Sequence, residues 1–217
     1  MEEYASEQEQ VDELKKLVKE NAPWALGGIV LGGLIYFGYT QYQGWLDQKA
    51  HTGAAKYELV IAALAKQDRG EAQKQLTQLQ TDYARSPFAD QAALALARFE
   101  VDKNDFDAAK QHLASVVDNS KDPALQEVAI LRLARVERAL GQRAQALALL
   151  DKAKGGRDDA VIWEVKGDLY ADAGDIKAAQ EAYGKALSGA KDGMVNKELI
   201  ELKLNALNGH VSAEKKP

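Results

Sequence analysis

The chain has 217 residues, no cysteine, three histidines and 33 Asp plus Glu against 28 Lys plus Arg, a net charge of −5. A mean hydropathy of −0.38 excludes a multi-pass membrane protein. The missing thiols exclude a disulfide scaffold, a thiolate zinc site and a cysteine nucleophile, and the acidic total argues against a general nucleic-acid binder, which needs a basic face.

Alanine fills 37 positions and β-branched residues are few, so helix is expected throughout. The first element is an acidic tail. Residues 1–20 carry Lys15, Lys16 and Lys19 against seven acids, which leaves that segment at −4 and everything after it at −1. Ser6 followed by Glu9 matches a capping box. Val11, Leu14 and Val18 then share one face, so the tail reads as an amphipathic helix. Its acidic polar face disfavours anionic lipid.

From Asn21 to Leu46 no residue is charged, and Ala22 to Tyr39 is an apolar run of 18 residues. As a helix that run would be about 27 Å long, close to the hydrocarbon thickness of a bilayer. Trp24 stands at one end, and Tyr36, Tyr39, Tyr42 and Trp45 at the other, where amphipathic rings favour the headgroup level. A transmembrane helix over 21–42 is therefore expected. The acidic segment before it, with no small-x-small site after it, favours an uncleaved signal anchor. Lys15, Lys16 and Lys19 before the span outnumber Lys49 and Lys56 beyond it, which puts the N-terminus inside. Gly28 and Gly32 form a Gly-x-x-x-Gly pair; it either lets two such helices pack closely or reflects the frequency of glycine in membrane helices. Residues 41–66 are expected to prolong the helix.

Beyond the span a helix–turn–helix unit of 33 to 37 residues recurs. In residues 160–193, with Ala160 as position 1, Trp163 falls at 4, Gly167 at 8, Tyr170 at 11, Gly174 at 15, Ala179 at 20, Tyr183 at 24 and Ala186 at 27. That spacing resembles the tetratricopeptide (TPR) signature, in which small residues at 8 and 20 let the two helices of a hairpin approach. Residues 127–159 set Ile130, Ala134, Gly141, Ala146, Leu150 and Ala153 in the same register. Residues 90–126 do so with Ala93, Ala97, Asn104, Ala109, Leu113 and Val116, Asn104 replacing the turn glycine. A degenerate copy aligns on Ala72, Leu76 and Leu79. A last amphipathic helix, about Met194 to Leu207, is expected to cover the end of the stack, and 210–217 to be disordered. The expected fold is thus all-α: one transmembrane helix, then a TPR-like α-solenoid over 43–209 with a C-terminal capping helix.

No nucleotide loop, G-x-S-x-G or H-E-x-x-H motif occurs, and His51, His112 and His210 lie far apart without metal-ligand spacing. No catalytic, cofactor or metal site is expected, and His112 is expected to face solvent. Binding is the usual role of such an array. Its concave face, from first-helix positions 2, 5, 9 and 12, would present Leu94, Arg98 and Val101, then Val128, Leu131, Arg135 and Arg138, then Val161, Glu164 and Asp168. Arg98, Arg135 and Arg138 are the expected anchors for acidic side chains or a carboxylate.

The acidic start with QVDELKKLVKEN, the glycine-rich span ending in aromatics, the run RLARVERALGQRAQALALLDKAKG and the closing KGDLYADAGDIKAAQEAYGKAL together carry a resemblance over nearly the whole chain. The chain resembles the YfgM-like family of ancillary subunits of the bacterial SecYEG translocon. The resemblance implies a single-pass inner-membrane protein with a cytoplasmic N-terminus and a periplasmic TPR domain. It implies partners in SecYEG and the membrane-anchored periplasmic chaperone PpiD, and a part in passing emerging proteins to periplasmic chaperones. It brings no catalytic or metal-binding residue, and the acidic composition leaves no nucleic-acid partner expected. Two other readings stay open: an envelope-assembly scaffold that oligomerises through the span and the repeats, and an enzyme subunit, which the missing motifs disfavour.

Overall fold

Alanine-rich stretches punctuated by left-handed turn residues fold into helices and, among the described residues, into no strand. The computed structural model describes residues 7–83, 86–153, 159–189 and 195–214. In chain order the helices are α1 (Glu7–Ala65), α2 (Arg69–Asp82), α3 (Pro87–Asp102), α4 (Phe106–Asn119), α5 (Pro123–Ala139), α6 (Arg143–Lys152), α7 (Asp159–Asp172), α8 (Ile176–Gly189) and α9 (Lys197–Glu214). The chain divides into two compact units, Met1–Thr52 and Gly53–Pro217.

The first unit contains most of α1. Its described side chains are exposed, Val11, Leu17 and Val18 included, and Lys15 Nζ donates to Asp12 one turn away at 3.1 Å. Ser6 lies outside the described residues, as does the side chain of Leu14, so the capping box and part of the apolar face fall outside them too. Further along, Trp24, Ile29, Val30, Leu31, Leu34, Ile35, Tyr36, Phe37, Tyr39 and Tyr42 are all exposed. They point around the whole circumference of the helix rather than along one stripe. The polar groups bordering this stretch turn back on the backbone: Asn21 Nδ2 donates to Leu17 O at 2.8 Å and Thr40 Oγ1 to Phe37 O at 2.9 Å. Among the described residues no helix is long and apolar enough to cross a membrane. The side chains of Ala22, Pro23, Ala25 and Leu26, which belong to the expected span, lie outside that set. Gly28 and Gly32 face open space.

The second unit is a TPR-like solenoid. Its first hairpin uses the end of α1: with Gly53 as position 1, Val60 and Ala63 occupy positions 8 and 11 and are buried, and Ala72, Leu76 and Leu79 follow at 20, 24 and 27 without exposed surface. The sequence pattern reveals only the second helix of this copy, because Lys56 stands at position 4 and no glycine at 15. The hairpins α3–α4, α5–α6 and α7–α8 repeat the register, and the packing alanines Ala109, Ala146 and Ala179 are likewise fully buried.

One turn closes every hairpin. Position 15 is left-handed in all four described copies: Gln67 (φ 60°), Asn104 (φ 61°), Gly141 (φ 73°) and Gly174 (φ 72°). At each, the N–H of position 16 donates to the carbonyl of position 11, from Asp68 to Ala63, Asp105 to Glu100, Gln142 to Glu137 and Asp175 to Tyr170, at 2.8–3.0 Å. The N–H of position 15 reaches the carbonyl of position 12 in the same way, the paired bonds of a Schellman motif. Position 16 then caps the next helix. Asp68, Asp105 and Asp175 accept from the backbone N–H three residues on at 3.0–3.1 Å. Gln142 makes no such cap bond, and α6, the helix it begins, has 10 residues against 14 in α2, α4 and α8.

The core runs as a series of clusters: Val60 to Val136, then Leu131 to Leu169, then Ala179 to Leu207. The last is closed by α9, whose Ile200 is fully buried beside Tyr183 and Ala186. This is the expected capping helix, but it begins at Lys197 and runs on to Glu214, through the start of the stretch expected to be disordered. No proline interrupts it, so nothing stops the backbone pairing at His210.

Candidate functional site

Two proline-started helices face each other in the middle of the solenoid. Ser86 accepts from Phe88 N–H at the start of α3, and Asp122 accepts from Ala124 and Leu125 N–H at the start of α5. Pro87 and Pro123 occupy the first turns, where a missing N–H is harmless. The two starts are tied through α4: Ser120 Oγ donates to Asp90 Oδ2 at 2.7 Å, and Gln126 Nε2 donates to Val117 O at 2.7 Å. This lashing fixes the spacing of α3 and α5.

Between them lies a cavity of about 320 Å³. Its walls are apolar, from Ala97 and Val101 on α3, Phe106 and Leu113 on α4 and Val136 on α5. Its rim carries three exposed guanidinium groups, Arg98, Arg132 and Arg135. No carboxylate among the described residues pairs with any of the three. Partial burial, with Arg98 and Arg135 adding repulsion, holds Arg132 below the ordinary arginine range. A bound carboxylate would relieve that repulsion, and an apolar side chain would cover the walls.

The groove expected from the sequence divides here. Arg98, Val101 and Arg135 come together on the cavity. Leu94 and Leu131 are at most 7% exposed and belong to the core instead. Val128 and Val161 are half-buried against core clusters. Arg138 is not a free anchor: its Nη1 donates to Asp168 Oδ2 and its Nη2 to Asp172 Oδ1, each at 2.9 Å, with Nε on the same Asp172 carboxylate. The Asp172 hydrogen bond raises the Arg138 pKa, and the same contact lowers that of Asp172. Glu164 and Asp168 take Lys203 Nζ of α9 at 3.1 and 2.8 Å, and Asp168 also accepts from the Tyr183 hydroxyl at 2.6 Å. These acids serve the packing of the last hairpin. Arg132 is the residue the position rule missed; its signal is the i,i+3 arginine pair in Leu131-Arg132-Leu133-Ala134-Arg135. His112 is half-buried rather than solvent-facing, and burial, then the nearby Arg69, lowers its pKa, with Asp105 opposing.

Other cations between hairpins do have acids. Arg69 lies 2.7 Å from Glu100 and 3.0 Å from Asp105, and Lys110 lies 2.9 Å from Glu137. Glu100 is 1% exposed and Glu137 4%, buried carboxylates at position 11 of successive hairpins. Arg69 approaches Glu100 Oε1 off the hydrogen-bond direction, so that oxygen has an ion-pair partner but no hydrogen bond. Among the described residues no group of three or more His, Cys, Asp or Glu could hold a metal ion.

Comparison with known proteins agrees with this architecture. The model of the family described as "Tetratricopeptide repeat-like domain" matches residues 15–209. An ancillary SecYEG translocon subunit of Neisseria gonorrhoeae is 33% identical over 94% of this chain and 98% of its own length. The protein of that name from Escherichia coli is 27% identical over 96% of this chain and 100% of its own. Among solved structures, Pseudomonas aeruginosa pilF superposes with a TM-score of 0.54 at 15% identity, covering 72% of this chain and 69% of that one. A tetratricopeptide repeat protein of Parabacteroides merdae gives 0.56 at 15% identity over 74% and 61%. At such identities these two speak for the fold alone.

Proposed function

The chain belongs to the ancillary SecYEG translocon subunit family of tetratricopeptide repeat-like proteins, and from that premise we propose that it is a membrane-anchored, non-catalytic protein-binding subunit of the SecYEG translocon. The observation that carries this reading is relatedness along the whole chain, tail and apolar helix included, rather than over the repeats alone. Many unrelated proteins share a repeat; few would share its combination with a short acidic tail and one uncharged helical segment.

In this reading residues 21–42 cross the inner membrane once, residues 1–20 are cytoplasmic and the solenoid is periplasmic. The uncharged run from Asn21 to Leu46 supports the anchor. So does the exposure of Ile29, Val30, Leu34, Ile35 and Phe37 around α1, since a helix apolar on all sides needs lipid or protein about it. The solenoid then links the translocon to a periplasmic chaperone of the PpiD type and helps transfer emerging proteins. Affinity purification of the full chain from gently solubilised membranes should recover translocon subunits together with that chaperone. Recovery of neither would overturn the assignment. Protease added outside spheroplasts should digest the solenoid, and complete protection would reverse the topology.

A further inference from the structure

Three guanidinium groups without an acid among the described residues stand over an apolar cavity, while several other cations between hairpins are paired. Arg69, Lys110, Arg138 and Lys203 each find an acid of the chain within 3.1 Å. Arg98, Arg132 and Arg135 find none among the described residues. Arg98 on the second hairpin and Arg132 and Arg135 on the third thus bring three such charges together at one place. The occupant's chemistry follows from what that place leaves unsatisfied. A free anion would neutralise the arginines but leave the apolar walls in water. A purely apolar segment would cover the walls but keep three like charges crowded at the rim.

We propose that this cavity captures an extended segment of a partially unfolded protein in which a large apolar side chain is flanked, within two residues on each side, by carboxylates. The apolar side chain fills the space over Leu113 and Val136, and the flanking carboxylates reach Arg98 on one lip and Arg132 and Arg135 on the other. A volume of about 320 Å³ suits one such side chain with its backbone rather than a folded surface. The guanidinium fork donates two parallel N–H···O bonds to a carboxylate, so acidic flanks orient the segment as well as attract it. The proposal rests on the protein-binding reading and names the kind of segment that reading leaves open.

The test uses the full chain in detergent micelles and a fluorescein-labelled peptide, Gly-Ser-Asp-Glu-Phe-Glu-Asp-Ser-Gly, followed by anisotropy. Saturable binding is expected, weakened roughly tenfold or more for each of Arg132→Gln and Arg135→Gln. Replacing the peptide's phenylalanine with serine, or its acids with their amides, should weaken it comparably. All three arginines are exposed, so the variants should melt with the parent, and the peptide substitutions test the same contact without altering the protein. Equal affinity for the amide peptide, equal affinity of the variants, or full competition by inorganic phosphate alone would overturn the proposal. Co-purification of translocon subunits is measured separately. Its loss with peptide binding intact sinks the translocon assignment and not the cavity, and the reverse result sinks the cavity alone.

Discussion

Gly167 and Tyr183 meet so closely in the last hairpin that a Cβ on Gly167 would lie 2.5 Å from the ring. The ring cannot step aside easily: it is 2% exposed and its hydroxyl donates to Asp168. Burial, then that hydrogen bond, holds the phenol above its usual range, so it stays a donor at physiological pH. Alanine would gain up to about 1 kcal/mol of helix propensity over glycine, but overpacking a locked core typically costs about 1–3 kcal/mol. The second effect should win. Gly167→Ala is expected to lower the melting temperature by circular dichroism, and an unchanged or raised value would show that the hairpin relaxes freely. This contact was legible in the sequence, because small and aromatic residues at positions 8 and 24 predict it. Asn104 was legible too, as a residue that tolerates the left-handed turn. Gln67 was not, because glutamine has no preference for positive φ and nothing local marks it.

Between helices the ionic contacts run from one hairpin to the next, and here sequence spacing loses its power. Arg138 reads as a groove residue because its position number says so, but its acids lie 30 and 34 residues away on α7, a separation no periodicity reveals. Arg132 is the converse, visible as a neighbour of Arg135 yet assigned no role by position. Glu100 tests the energetics of such a contact. Burial holds its carboxyl above the ordinary range, with Arg69 opposing. The folded chain therefore holds this proton more tightly than the unfolded chain does. The favourable contribution is complete below the unfolded pKa and is lost as pH rises through the folded one. Glu100→Gln never ionises, so its urea midpoint relative to the parent should shift in its own favour from about pH 4 to pH 7. A gap that does not change with pH would mean that the carboxylate titrates in the fold as it does in the unfolded chain.

At the scale of the molecule, the apolar circumference of α1 and the nearly neutral solenoid are separate modules, and the charge of −5 describes neither well. Most of it lies in residues 1–20, ahead of the proposed anchor. If lipid surrounds Ile29 to Phe37, a charge at the middle of that stretch is costly: about 2.5–3.5 kcal/mol for aspartate at a helix centre by insertion measurements. Val30→Asp with Leu34→Asp should move the full chain from the carbonate-resistant membrane fraction to the soluble or aggregated one. Retention in the pellet would place protein rather than lipid around this helix.

The direction of the ion pairs has one more implication, concerning time rather than space. Arg69 precedes Glu100, Lys110 precedes Glu137, and Arg138 precedes Asp168 and Asp172, so in these pairs the cation is made before the acid, whereas Asp151 precedes Lys166. A chain leaving the ribosome amino end first thus makes the cation partners of the buried Glu100 and Glu137 before those carboxylates. Each of these acids meets a positive charge already made. Lys203 shares the reversed order, reaching back from α9 to Glu164 and Asp168, so these two pairs can form only when synthesis is nearly done.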